Sequence, residues 1–270
     1  MGDTARMTRI GDLDLAYYVR GQGFPVLMIQ GLGGRAADWG SVPAALATDF
    51  EVITVDNRGT GRSAKPDEPY TLEQMADEAV GVLDVLGHAQ AHIVGLSMGG
   101  MIAQLVALRH PRRVTRLVLI ATTPGGPHTT PPTDAALAAL MPDLTQPPAE
   151  IIRASVQAIT APGFADAHPD VVRQAVDTAL AAPTPQHVFL RQMQAIMSSD
   201  RYDRLAEISL PTLVIHGDVD PLVPHANGET LAGRIPGARL RTMRNCGHLV
   251  MWEQPTELSA ALREFLSDHP

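Results

Sequence analysis

Six short runs of β-branched and aliphatic residues, each set off by turn signals, limit what this chain can fold into. They cover residues 25–30 before Gly31, 51–55 before Asp56, 91–94 before Gly95, 114–121, 212–216 and, more weakly, 239–243. Apolar runs of this length read as strands buried on both faces of a parallel sheet. Helical stretches lie between them. In residues 71–86, Leu72, Met75, Ala76, Ala79, Val82, Leu83 and Leu86 repeat at helical spacing. Strand alternating with helix predicts an α/β fold: a mostly parallel, doubly wound sheet with helices on both faces and its ligands at the carboxyl ends of the strands.

The alternation stops between residues 124 and 206. Four helix-like segments follow one another there, at 134–141, 149–159, 170–181 and 186–198, with no strand among them. Half of the 22 prolines fall in this section, several just ahead of a helix, as expected of helix starts and stiff connections. The expected organisation is a core formed by residues 1–123 and 207–270 with an inserted helical cap at 124–206. No internal repeat or low-complexity tract is present.

Composition narrows the classes of function. With 45% hydrophobic and 19% charged residues the chain has the makeup of a globular protein that folds on its own. A net charge of -8 argues against a nucleic-acid partner, which would call for clustered Lys and Arg. Cys246 is the only cysteine, so no intrachain disulfide can form and no oxidising compartment is needed. The first fifteen residues carry Asp3, Arg6, Arg9, Asp12 and Asp14 and no apolar run suited to a signal peptide. No stretch approaches the roughly 20 apolar residues of a membrane span. A cytoplasmic protein is expected; its oligomeric state is not legible.

The chemistry concentrates at the ends of predicted strands. Gly95-Leu96-Ser97-Met98-Gly99 is a G-x-S-x-G sequence between the strand at 91–94 and a helix at 100–110. In that setting the serine sits on a sharp turn with its hydroxyl clear of the sheet, and glycines on both sides leave room for the turn. A serine hydroxyl needs a base, and the base needs an orienting group. Among ten histidines, His248 alone lies in a loop, Asn245-Cys246-Gly247-His248, directly after the last predicted strand. His88, His92, His110, His187 and His225 lack such a setting. The orienting acid should leave another strand end, where His216-Gly217-Asp218-Val219-Asp220-Pro221 offers Asp218 and Asp220. Asp220 is favoured, with Asp218 forming the turn and bonding its own loop. An oxyanion needs two fixed donors. The Met98 amide is one, and the glycine-rich loop Gln30-Gly31-Leu32-Gly33-Gly34 supplies the other through Leu32.

These motifs, together with Asp56-Asn57-Arg58-Gly59-Thr60-Gly61-Arg62-Ser63, resemble the α/β-hydrolase superfamily along nearly the whole chain. Within it the chain is similar to capped carboxylesterases and lactonases. The order Ser97, Asp220, His248 is the superfamily's own. The resemblance implies a serine hydrolase that cleaves a small, largely apolar ester or lactone through an acyl-enzyme, with no metal or organic cofactor. Trp252-Glu253-Gln254-Pro255 is similar to the meta-cleavage product hydrolases, which break carbon–carbon bonds, but Gly34 and Leu249 depart from their pattern. Gln30 stands where many relatives have His. A non-catalytic ligand-binding protein on the same fold is the rival from another class. The 59–63 segment reads as a structural turn, Cys246 as small apolar packing, and Phe189 and Met193, with Met141, Phe164 and Met197, as residues of an acyl pocket or of the cap's own core.

Overall fold

A computed structural model describes residues 4–141 and 145–267. In chain order the strands are β1 (Arg6–Ile10), β2 (Leu13–Arg20), β3 (Phe24–Ile29), β4 (Phe50–Val55), β5 (Ala91–Leu96), β6 (Val114–Ile120), β7 (Thr212–Gly217) and β8 (Arg239–Met243). The α-helices are α1 (Val42–Leu46), α2 (Leu72–Val85), α3 (Met98–Arg109), α4 (Asp134–Leu140), α5 (Pro148–Ile159), α6 (Phe164–Ala167), α7 (Pro169–Ala181), α8 (Gln186–Met197), α9 (Ala226–Arg234), α10 (Val250–Glu253) and α11 (Pro255–Ser267). One eight-stranded sheet runs in the order β1-β2-β4-β3-β5-β6-β7-β8. β2 is antiparallel to β1 and β4, and every other pairing is parallel. This is the α/β architecture the alternation predicts.

The six apolar runs coincide with β3 to β8 to within two residues at each end. The hairpin of β1 and β2 is an addition to that expectation. Leu13, Leu15 and Tyr17 are buried there, while Arg6, Arg9 and Asp14 keep the edge charged. One-sided burial gives alternation rather than a continuous apolar run, so its signal is weaker.

Helix α2 illustrates how the layers form. Thr71 accepts a hydrogen bond from the Gln74 amide while the Gln74 side chain accepts one from the Thr71 amide, a reciprocal cap that fixes the helix start. Its buried stripe, Leu72, Met75, Ala76, Ala79, Val82 and Leu83, packs in the same cluster as Leu27, Ile29, Ile53 and Ile93 of the sheet. Each fully buried Leu there contributes roughly 1.5–3 kcal/mol by leaving water. The opposite face of the sheet, through Val26, Met28, Val94 and Val118, packs with Trp39, Leu46, Leu258 and Phe265.

From β3 the chain passes to β4 on one side and then returns to β5 on the other. Strand order reverses at the carboxyl ends of β3 and β5, and a crevice at such a reversal is where open α/β sheets bind ligands. Between β6 and β7 lie five of the helices, α4 to α8, over the stretch expected to be helical; α6 is an element that the periodicity does not reveal. Among the described residues no helix is long and apolar enough to cross a membrane.

The 56–63 turn has a structural job. The buried Asp56 carboxylate accepts hydrogen bonds from the Ala36 amide (2.9 Å), the Arg62 amide (2.9 Å) and the Tyr18 hydroxyl (3.1 Å). Ser63 accepts from the Ala16 amide at 2.9 Å and donates to the Asp56 carbonyl. Gly61, at φ 52°, has no room for a side chain, since a Cβ there would lie 2.1 Å from Asp56 Oδ2. The turn thus ties β2 and β4 to the loop after β3. Asp56→Ala leaves three donors without their acceptor, and the expected loss is about 3–5 kcal/mol in stability. Urea denaturation of the two proteins measures it.

Candidate active site

Backbone crowding makes the turn at Ser97. The residue has φ 54° and ψ −120°, a left-handed conformation rare for a side chain with a Cβ. Its amide bonds the Ile120 carbonyl at 2.9 Å, and its carbonyl accepts the Thr122 hydroxyl at 2.7 Å. A Cβ on Gly99 would lie 2.1 Å from the Ile29 carbonyl oxygen, so α3 can approach the end of β3 this closely only with glycine at that position. The strain at Ser97 is held in place by these contacts on either side.

Met98 opens α3, and a first-turn amide has no acceptor within its own helix. Leu32 lies in the loop after β3, and both residues line the same cavity as Ser97. That loop is braced from below. Gln30 Oε1 accepts the Gly31 amide at 2.9 Å, and Asn57 donates to the Gln30 carbonyl at 2.8 Å. Gln30 in this chain therefore secures the loop with its amide oxygen.

The histidine and the acid meet. His248 Nδ1 lies 2.8 Å from Asp220 Oδ2, and both side chains are almost wholly buried. The other carboxylate oxygen accepts the Leu222 and Val223 amides at 2.9 and 2.8 Å. An ionised carboxylate only accepts, so Nδ1 carries the proton and Nε2 is left as the basic nitrogen. His216, at the end of β7, packs behind the acid. Its Nε2 lies 2.7 Å from the Val223 carbonyl and 3.6 Å from Asp220 Oδ2, and burial depresses its pKa, keeping it neutral.

Asp218 is exposed and accepts the Cys246 amide at 3.4 Å. Its side chain therefore bonds the histidine loop, where the sequence suggested a bond within its own turn. Cys246 is fully buried, and burial together with Glu253 pushes its thiol far above the usual range, so it carries no thiolate at neutral pH.

Ser97, Met98, Leu32 and His248 share one cavity of about 750 Å³ at the strand-order reversal. The remaining wall is mostly apolar and comes largely from α4, α5, α7 and α8, including Leu137, Ile152, Val156, Ala179, Phe189 and Met193, with Met197 at the end of α8. Phe189 and Met193 thus lie where an acyl pocket would be. Met141 is 79% exposed, and Phe164 packs on His168; neither lines the cavity. Among the described lining residues the charged side chains are Arg35 and Asp38, which pair at 2.8 Å.

Glu253 braces the histidine loop through contacts that the sequence does not reveal. Its Oε2 accepts the Gly247 and Ala161 amides, both at 2.8 Å, and its Oε1 accepts the Leu249 amide at 3.1 Å. One carboxylate thereby holds the backbone on both sides of His248 and ties it to the connection after α5. The His248 amide itself donates to the Ile159 carbonyl at 2.8 Å. Burial raises the Glu253 pKa, and the three amides pull it back. In the sequence it stands only within Trp252-Glu253-Gln254-Pro255, five residues beyond the histidine, with no sign of the amides that it meets. Glu253→Ala leaves three amides unmet, and the expected cost is about 3 kcal/mol or more, read as a lowered melting temperature, while Glu253→Gln, which keeps one acceptor, costs less.

A family model described as the alpha/beta hydrolase fold matches residues 25–255. The chain is 34% identical over 243 residues to the "Putative carbamate hydrolase RutD" of Caulobacter vibrioides, a match covering 89% of each chain. It is 33% identical to the 2-hydroxymuconate semialdehyde hydrolase of Pseudomonas sp. (strain CF600), over 92% of this chain and 88% of that one. The crystal structure of the enol-lactonase from Burkholderia xenovorans LB400 superposes with a TM-score of 0.87 at 26% identity, covering 97% of this chain and all of the other. With a matched family model spanning most of its length and a relative 34% identical over 89% of it, the chain belongs to the alpha/beta hydrolase family.

Proposed function

We propose that this hydrolase cleaves a small, largely apolar carboxylic ester or lactone through an acyl-enzyme on Ser97. The observation that carries the reading is the buried Asp220–His248 hydrogen bond behind the cavity that His248 lines together with Ser97. Ser97 Oγ attacks the carbonyl carbon as His248 Nε2 takes its proton. The Leu32 and Met98 amides stabilise the oxyanion. His248 then protonates the leaving alkoxide, and in the second half it activates water to release the acid. Asp220 holds the imidazole in the required tautomer and stabilises the imidazolium. The helices α4 to α8 act as a cap that supplies the substrate pocket.

The cavity's charge supports one of several related chemistries. Arg35 is already engaged by Asp38, so a carboxylate-bearing substrate meets no unpaired cation among the described lining residues. Burying an unpaired charge costs several kcal/mol. This favours neutral esters and lactones over the carbon–carbon cleavage suggested by the semialdehyde hydrolase and over a charged carbamate. The net charge of -8 supports a small-molecule substrate over nucleic acid, and the lone buried cysteine fits a cytoplasmic setting.

A panel of neutral esters, lactones, hemiesters, carbamates and vinylogous diketones tests the choice. A neutral hexanoyl ester should exceed the corresponding dicarboxylate hemiester by at least about tenfold in kcat/KM, each tenfold being about 1.4 kcal/mol. Preference for a diketone over every ester would overturn the reaction type. Ser97→Ala should lose on the order of a thousandfold or more in kcat while staying folded. Asp220→Asn should cost up to about ten-thousandfold, and Asp218→Asn far less. Phe189→Ala or Met193→Ala should move the preference toward bulkier acyl groups, measured as kcat/KM across an acyl series.

A further inference from the structure

The side chains of α8 divide between two tasks. Phe189 and Met193 reach the cavity, while Gln192 is fully buried against the loops beneath the helix. Gln192 Oε1 accepts the Gly33 amide at 2.7 Å, and its Nε2 donates to the Arg58 carbonyl at 3.0 Å. Thr184, just ahead of α8, donates its hydroxyl to the Gly33 carbonyl at 3.0 Å. Both backbone polar groups of Gly33 are thus taken by side chains from the helical insertion, more than 150 residues away in sequence.

Gly33 needs such an anchor. It sits at φ 67°, which glycine adopts without strain, and a Cβ there would meet nothing within 4 Å, so no side chain of its own could pack to fix the peptide. The neighbouring Leu32 amide is an oxyanion donor in the reading above, and a donor works only when its direction is fixed before charge develops. The Gly31 side of the loop is held by Gln30 and by the Gly34 amide, which bonds the Gly31 carbonyl at 3.1 Å. The Gly33 side is held by Gln192 and Thr184.

We infer that Gln192 is a positioning residue for the oxyanion hole, through which the substrate-facing helix α8 sets the direction of the Leu32 amide. This rests on the acyl-enzyme reading. Gln192 touches no reacting atom, so its loss should weaken transition-state binding and leave ground-state binding nearly intact. It also makes one helix responsible for both acyl fit and oxyanion geometry, so a substrate that displaces α8 pays in kcat.

The test compares wild type with Gln192→Leu, which keeps the volume and removes both hydrogen bonds. A neutral ester is the substrate, a matched trifluoromethyl ketone reports the tetrahedral oxyanion, and the product acid reports ground-state binding. We expect kcat to fall about tenfold with KM within about twofold, the ketone to bind about tenfold more weakly, and the acid to bind as before, a misplaced donor costing less than a deleted one. Thr184→Val, at a half-buried site, should show the same pattern at about threefold and decides the matter if Gln192→Leu does not fold. Wild-type kcat and ketone affinity in a folded variant, or a rise in KM alone, would overturn the inference. Failure of the ketone to inhibit the wild-type enzyme would overturn the acyl-enzyme reading itself, and this inference with it.

Discussion

The site depends on how closely the end of β3 and the start of α3 approach each other. Gly99 lets the helix touch the Ile29 carbonyl, and that contact, with the Ile120 and Thr122 hydrogen bonds, holds Ser97 in its left-handed conformation. A residue with a Cβ visits that region at a cost of the order of 1–3 kcal/mol. The surrounding sheet offsets it through burial on both faces. Where the connections after the paired strands β3 and β5 part, the same approach sets the loop holding Leu32 beside the turn holding Met98. The placement of the Leu32 and Met98 backbone beside Ser97 is therefore a consequence of sheet topology and two backbone turns, with side-chain identity secondary.

A second constraint comes from the helices between β6 and β7. They contribute most of the apolar wall of the cavity, and they also bond to the loops that carry Leu32 and His248. Arg35 donates to the Thr178 and Ala182 carbonyls at the end of α7, Glu253 joins the His248 loop to Ala161, and Gln192 and Thr184 hold Gly33. Each is a side chain meeting a backbone group across a long sequence separation. Buried backbone groups must find partners, so packing helices over loops forces such contacts. In this molecule they fall on the segments that carry Leu32 and His248.

What the sequence made legible follows from that distinction. Strands buried on both faces are continuous apolar runs, so β3 to β7 and their ends were readable, and β8 gave a weaker run because Arg239, Arg241 and Thr242 are exposed; with them came the positions of Ser97, Asp220 and His248 at or just beyond strand ends. The β1–β2 hairpin was not, because one-sided burial leaves charged residues between its apolar ones. Glu253, Gln192 and His216 were illegible for another reason. Their partners are main-chain groups or neighbours fixed only by the tertiary fold, and any acid, amide or imidazole looks the same in sequence whether it faces water or a buried amide. The Asp218 side chain shows the same limit: its place in a turn was readable, but its bond to the Cys246 amide was not.

The central claim is that Ser97 is a nucleophile activated by His248. The most direct measurement is intact-protein and peptide mass spectrometry after reaction with a fluorophosphonate. Wild type should form a single adduct, mapped to Ser97, that is absent from Ser97→Ala and forms much more slowly in His248→Ala. An adduct on another residue, or labelling of Ser97 that is as fast without the histidine, would contradict it.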